Sequence, residues 1–413
     1  MFLTGGGIRL SGMSSVKRAL ARRDVLRRKI DNNYYFPFVN GQTLIVTVTA
    51  SNPFTYDDLL KSTYFIIRPT PEVSVEMKAC YFEYKDLLSV KFFEMFESTL
   101  PRLKVTLAQP ESALVINKLL TMKIGDNPES TSLLLDLFNK MCPVTSNYIY
   151  KMFSFYEKED TTQRIQLFML LLLLLTTTKS LSDAFNEAYS IQKPIMLTGV
   201  GQTGKSSILE LFRMLSFNSS QAAEVNHLNN RFESFAWKSR PLLTFSDVKF
   251  HTLSRAGLSH VLTRIKQLSG NDPIRTEQKF KDIEDVKFYG LLLFTSNFPF
   301  PIDDTDFSAQ YRRIVNLHLT NVIEHKDKIL DYSEVMLRDE VLNFLILAIV
   351  LQSKMGELVR VIDSFSLVET LHNNEEHDYK LIHSPDPVRL VNFIFDRMRQ
   401  RGAITAGEGR REG

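Results

Sequence analysis

The chain has 413 residues, 44% hydrophobic and 23% charged, an ordinary globular composition spread over too much chain for one core, so two or three domains are expected. A net charge of +3 neither requires nor excludes a nucleic-acid partner. Two cysteines, Cys80 and Cys142, exclude a disulfide framework, and the absence of C-x-x-C argues against structural zinc, so an intracellular, reducing setting is expected rather than secretion.

Residues 1–30 are basic: Arg9, Lys17, Arg18, Arg22, Arg23, Arg27, Arg28 and Lys29 face one acid, Asp24. Such a run suits a nucleic-acid-binding helix, an organelle-targeting peptide or a solvated face, and the residues leave all three open. It contains no secretory apolar stretch, and Gly5-Gly6-Gly7 predicts flexible chain. Residues 31–90 are rich in β-branched and aromatic side chains. Asn40-Gly41 between the runs 35–39 and 44–49 predicts a hairpin. From 91 to 190 the apolar spacing turns helical. Residues 167–175 are solidly apolar, but Thr176-Thr177-Thr178 and Lys179 end the run well short of the roughly twenty residues a bilayer needs, so a buried core helix is expected and no membrane contact.

Pro194 opens the most informative stretch. Ile195-Met196-Leu197-Thr198 reads as a buried strand and residues 207–215 as a helix. Between them Gly199-Val200-Gly201-Gln202-Thr203-Gly204-Lys205-Ser206 fits G-x-x-x-x-G-K-(S/T), the phosphate-binding loop of nucleotide hydrolases. Glycines let the amides turn onto phosphates, and a helix beginning near Ser207 adds its positive end. Lys205 is expected to reach the β- and γ-phosphates of ATP, and Ser206 to hold Mg²⁺.

Later segments narrow the chemistry. Leu242-Leu243-Thr244-Phe245-Ser246-Asp247 is an apolar strand ending in an acid suited to water-mediated Mg²⁺ binding. Leu291-Leu292-Leu293-Phe294-Thr295-Ser296-Asn297 is a second buried strand whose terminal amide can orient water and sense the γ-phosphate. Arg312 and Arg313 follow, and an arginine supplied across a subunit boundary can stabilise phosphoryl-transfer charge. Between the two strands, Gly270-Asn271-Asp272-Pro273 predicts a turn and the charged stretch 274–287 a projecting hairpin with Lys279 and Lys281 near its tip. Lysines there can meet a phosphate backbone as point charges. Lys266 and Arg275 flank the turn, and Arg275 could instead pair with Asp272 or Glu277. Trp237 is expected in the core, and His372, His377 and His383 in a solvated loop, because their spacing fits no helical metal-ligand pair. Residues 329–355 predict a helix, 387–401 a last one, and 402–413 a disordered tail.

This ordered set resembles the superfamily 3 helicases of the AAA+ class. Lys266…Gly270-Asn271-Asp272-Pro273-Ile274…Arg275…Lys279 is similar to the K…(T/S)-G-G-D-P-I…R…K pattern of poxvirus, phage and plasmid primase–helicases. Phe38-Val39-Asn40-Gly41-Gln42-Thr43-Leu44, with Phe54-Thr55-Tyr56 after it, resembles the strand and turn preceding the helicase core in that family. Asn271 departs from the second glycine of the pattern, a change the turn tolerates because Asn accepts positive φ. Ser246 stands where many relatives carry a second acid, which leaves the general base to Asp247 or a neighbour. No primase domain lies upstream, so a helicase-only form or one part of a split protein is expected.

The resemblance implies an α/β fold with an AAA+ P-loop core at 191–325. A basic arm (1–30) and a mixed N-terminal domain (31–190) precede that core, and a helical C-terminal segment with a tail (326–413) follows it. It also implies a homo-hexameric ring on single-stranded or forked DNA, moving 3′→5′, with ATP and Mg²⁺ at subunit interfaces and a separate primase or polymerase as partner. Residues Gly199 through Ser206 and Ser207 would bind ATP, and Ser206 and Asp247 the metal. Asn297 would sense phosphate, Arg312 or Arg313 act in trans, and Lys266, Arg275, Lys279 and Lys281 meet DNA. A virus, phage, plasmid or mobile element is the implied source. The rivals are an RNA-virus-type superfamily 3 ATPase and a catalytically impaired nucleotide- or DNA-binding remnant of a mobile element.

Overall fold

A computed structural model describes residues 29–30, 33–37, 40–48, 63–69, 110–125, 128–156, 158–181, 190–216, 220–228, 234, 237, 240–277, 283–298, 314–319, 322 and 340–365. The basic arm up to residue 28, all of 323–339, the histidine-rich loop and everything after 365 lie outside them.

The first element is a four-stranded antiparallel sheet in the order β1-β2-β3-β4: β1 Lys29–Ile30, β2 Asn33–Pro37, β3 Gln42–Val48 and β4 Thr63–Pro69. Asn40-Gly41 joins β2 to β3 as expected. Gly41 takes φ 78°, and the Asn40 side chain accepts a hydrogen bond from the Gln42 amide at 3.1 Å.

Four helices follow: α1 Pro110–Thr121, α2 Pro128–Met141, α3 Pro143–Phe153 and α4 Glu159–Leu181. The first three open on proline, whose fixed φ and missing amide suit the first helical turn. Residues 167–175 of α4 are all buried, because α4 lies among α3, α5 (Lys205–Leu215), α7 (Val341–Val350) and α8 (Met355–Ser364). Among the described residues no helix is long and apolar enough to cross a membrane. Thr176, Thr177 and Thr178 each return a hydroxyl to the carbonyl four residues back at 2.9 Å, which lets polar side chains stay buried.

A five-stranded parallel sheet forms the centre, in the order β11-β5-β10-β7-β6. Its strands are β5 Ile195–Thr198, β6 Ser220–Ala222, β7 Leu242–Phe245, β10 Leu291–Ser296 and β11 Val315–His318. Both faces are buried, and alternation divides the side chains. Ile195, Leu197, Leu242, Leu291, Leu293, Val315 and Leu317 join one continuous core with α1–α5, α7 and α8. Met196, Leu243, Phe245, Leu292 and Phe294 pack on the other side with Trp237 and α6 (Arg255–Ser269). The protein is thus mixed α/β, with a parallel sheet between helical layers.

The hairpin expected after the turn has its two arms, β8 Ile274–Thr276 and β9 Glu284–Val286, paired antiparallel with Arg275 opposite Asp285. Asn271 takes φ 57°, as a glycine replacement must, and its buried amide exchanges hydrogen bonds of 2.7–2.9 Å with Ser190. At the C-terminal side one expectation needs correction. The single helix predicted to run to 355 is broken by a 3₁₀ turn at Leu351–Lys354 and resumes as α8. The break lets α8 fold back onto α4, with Phe365 edge-on to Phe168 at 5.8 Å between centroids.

Candidate functional site

All central strands run parallel, so their carboxyl ends gather at one edge, where ligands bind in open α/β sheets. Thr198, Asp247, Asn297 and His318 stand at or just beyond the ends of β5, β7, β10 and β11.

The loop after β5 has the glycines its geometry demands. Gly199 sits at φ 143°, and a Cβ there would stand 2.2 Å from the Leu319 carbonyl oxygen. Gly204, at φ 85°, is the N-cap of α5 and supplies no side-chain cap. The helix therefore begins at Lys205, two positions before the expected start. The N-cap of α5 makes no side-chain hydrogen bond to its first-turn amides, and Ser206 and Ser207 are exposed residues. Lys205 is folded under the loop. Its Nζ donates to the carbonyls of Gly199 and Val200, both at 2.6 Å, and to Thr203 Oγ1 at 3.2 Å. Burial lowers the Lys205 pKa, and the Asp247 carboxylate opposes that shift.

Asp247 and Asn297 are held as a pair. Phe245 and Phe294 stack beneath them, 4.4 Å between centroids and 9° apart. The Asp247 amide donates to Thr295 Oγ1 at 3.1 Å, and the Val248 amide donates to the Thr295 carbonyl at 2.8 Å. Ser296 Oγ donates to the Val248 carbonyl at 2.6 Å. These bonds fix Asp247 at φ 49°, a strained value for an aspartate, with Oδ1 accepting from Asn297 Nδ2 at 3.4 Å. Lys249 Nζ lies 3.8 Å from Oδ2. Because β10 lies between β5 and β7, Asn297 stands between the lysine loop and the acid's strand. Ser246 turns elsewhere: its hydroxyl accepts from Arg213 of α5 at 3.2 Å, as does Thr244 Oγ1.

Three neighbours of the loop carry no motif signal. Thr198 Oγ1 lies 3.0 Å from His318 Nδ1 and donates to Asn316 Oδ1 at 3.1 Å. Burial, and then the Lys205 charge, lower the His318 pKa. Burial raises the phenol pKa of Tyr148 on α3, and the nearby Ser207 hydroxyl opposes the rise. Only strand pairing and helix packing bring these groups to the loop.

The remaining expected residues are not all described. Lys266 lies in the last turn of α6 and Arg275 is exposed on β8. Among the described residues no ion pair joins Arg275 to Asp272 or Glu277. Lys279, Lys281, Arg312 and Arg313 lie outside the described residues.

Residues 197–313 match the model of a family described as a family of unknown function, DUF5906. No curated protein matches the chain. Among solved structures, it is similar to an A-form apo structure of the NrS-1 C terminal region (305–718), at 16% identity and TM-score 0.37 over 64% of this chain and 60% of that one. Another apo structure of that region gives 11% identity and TM-score 0.40 over 91% and 80%. JCV helicase gives 15% identity and TM-score 0.28 over 74% and 75%. The chain thus spans 60% of the first of these structures. These likenesses are distant, and the residues of the site itself carry the functional reading.

Proposed function

We propose that the chain is an ATP-driven DNA helicase of the superfamily 3 type. The observation that carries this reading is the meeting of three groups at one edge of a parallel sheet. They are a glycine-framed loop closed on Lys205, an uncapped helix N-terminus, and an Asp247–Asn297 pair.

Each group has a place in phosphoryl transfer. The Lys205 ammonium exchanges loop carbonyls for β- and γ-phosphate oxygens, which are stronger acceptors for a cation. The first-turn amides of α5 hold phosphate against the helix dipole. Ser206 and Asp247 offer exposed hard oxygens, a donor set that fits Mg²⁺, which when bound neutralises charge on the transferring group. Asn297 orients the attacking water, and Asp247 takes its proton, since Ser246 has no carboxylate and is engaged by Arg213. Arg312 or Arg313 completes the site of a neighbouring copy in a homo-hexameric ring. Lys279 and Lys281, with Lys266 and Arg275, contact the phosphates of single-stranded or forked DNA. A separate primase or polymerase is the partner, and a virus, phage, plasmid or mobile element the source.

Steady-state ATPase tests the site. Lys205→Ala should abolish hydrolysis while the fold survives, and parental turnover would falsify the nucleotide assignment. The finger mutant, Arg312→Ala or Arg313→Ala, should bind ATP yet lose a factor on the order of 10³–10⁵ in turnover. Mixing it with Lys205→Ala should restore activity, because one protein still offers a loop and the other a finger. Mixtures that never exceed the sum of their parts rule out the shared site. Lys279→Ala should lose strand displacement from a fork and show a shallower salt dependence of DNA binding.

A further inference from the structure

The two residues offered to Mg²⁺ come from different elements: Ser206 lies in the first turn of α5, and Asp247 follows the end of β7. Arg213 joins those elements. It stands in the last turn of α5, where its carbonyl accepts from the Ser216 amide at 3.2 Å and from Ser216 Oγ at 2.6 Å. Helical side chains lean toward the helix N-terminus, so a long one in the last turn can reach back toward the carboxyl edge of the sheet. Arg213 Nη2 donates to Thr244 Oγ1 and to Ser246 Oγ, both at 3.2 Å. Its Nη1 lies 3.9 Å from Glu210 Oε2, one helical turn away. Thr244 is buried in β7, which is held between β6 and β10, so the guanidinium grips a fixed strand and the residue just before Asp247.

We infer that Arg213 is a positioning residue of the nucleotide site: by clamping α5 to the end of β7 it sets the spacing between Ser206 and Asp247, and with it the fit of the divalent cation. The inference rests on the nucleotide-site reading above and deepens it. It also gives Ser246 a task. The residue that stands where a second acid was expected is the acceptor that brings the clamp to the neighbour of Asp247. A planar guanidinium holds two hydroxyls and a carboxylate in fixed directions, which a flexible ammonium does not. Mg²⁺ demands near-ideal octahedral geometry at short distances, whereas Ca²⁺ takes more ligands in a looser arrangement. A clamp that fixes two oxygen-bearing elements therefore favours the smaller cation.

The test titrates Mg²⁺ or Ca²⁺ into the full chain with a fluorescent ATP analogue, and repeats the binding in EDTA. It compares the parent, Arg213→Met, Arg213→Lys, Ser246→Ala, the double mutant Arg213→Met/Ser246→Ala, and Lys205→Ala. Arg213→Met keeps the stem and removes the donors. It should raise the Mg²⁺ concentration for half-maximal binding about three- to tenfold, the loss of a hydrogen bond's worth of positioning. Ser246→Ala should shift it less, because Thr244 still holds the guanidinium, and Arg213→Lys should recover part of the loss. The double mutant should be no weaker than Arg213→Met, since the same contact is removed either way. The Ca²⁺ midpoint should move less than the Mg²⁺ midpoint, and affinity in EDTA should stay parental. Ser246 is exposed, so Ser246→Ala carries the test by itself if Arg213→Met does not fold. A parental Mg²⁺ midpoint in Arg213→Met and Ser246→Ala, additive losses in the double mutant, or an equal loss in EDTA would each overturn the inference. If Lys205→Ala binds the analogue like the parent, the nucleotide-site reading itself has failed.

Discussion

The N-termini of α3 and α5 face the same physical problem and solve it in opposite ways. Each helix begins with amides that lack intrahelical partners and with the positive end of its dipole. At α3 the chain supplies its own anion: Glu340 is buried against the first turn and takes two amides and a hydroxyl. At α5 no described residue does so. Gly204 provides no cap, Ser206 and Ser207 are exposed, and among the described residues the hydrogen bonds of the nearest cation, Lys205, go to its own loop. A helix start sealed by an internal carboxylate is structural. One left unsealed beside a lysine and framed by obligatory glycines is suited to an external anion.

This contrast can be broken at either end. The largest effect is expected from Glu340→Ala, which leaves buried amides and the Thr145 hydroxyl without their acceptor. It should cost about 3–5 kcal/mol in denaturant unfolding. A loss under about 1 kcal/mol would mean the α3 terminus needs no internal anion. Gly199→Ala attacks the open end. A Cβ 2.2 Å from the Leu319 carbonyl must push β5 and β11 apart, at about 2–4 kcal/mol, and nucleotide binding should go with it. Wild-type binding in a stable Gly199→Ala protein would remove the claim that this loop geometry is required.

The smallest expected effect sharpens the contrast by way of a cation. Lys179 is fully buried near the end of α4, with its ammonium bonded to the Tyr289 carbonyl, and desolvation lowers its pKa to about 7. In the unfolded chain it keeps its proton to about pH 10.4. Between those values the unfolded state holds a proton the folded state lacks, so this residue makes stability rise with pH from about 7 to about 10. Below about 7 both states are charged and the folded state carries the whole burial cost. Lys179→Met should therefore add about 2 kcal/mol at neutral pH and flatten the alkaline rise. A destabilised variant with the slope intact would show that Lys179 is a satisfied anchor.

Much of the fold was legible because it depends on near neighbours. The Asn40-Gly41 hairpin, the burial of 167–175, the strand and helix flanking the glycine loop and the positive φ of Asn271 follow from turn chemistry and apolar periodicity. The candidate site was legible to the same depth. Lys205, Asp247 and Asn297 lie on segments whose residue types and spacing are informative by themselves, and the sheet brings them to one edge. Tyr148, Thr198 and His318 were not legible, since a tyrosine in a helix or a histidine on an edge strand has no local mark of its neighbours.

What the sequence determined by itself is the set of short-range features: the glycines that only a tight loop needs, the strand and helix periods, and an acid and an amide at strand ends. Backbone φ and side-chain alternation are decided over a few residues, so a few residues record them. The tertiary structure alone decided that Glu340 caps α3, accepting from Thr145, a residue 195 positions earlier in the chain. It alone decided that Arg213 occupies Ser246, that the C-terminal helix breaks at Leu351–Lys354, and that His318 of β11 meets Thr198 at the end of β5. Those contacts depend on how layers pack, and packing is set by the shapes of many side chains at once, which no single stretch of sequence contains.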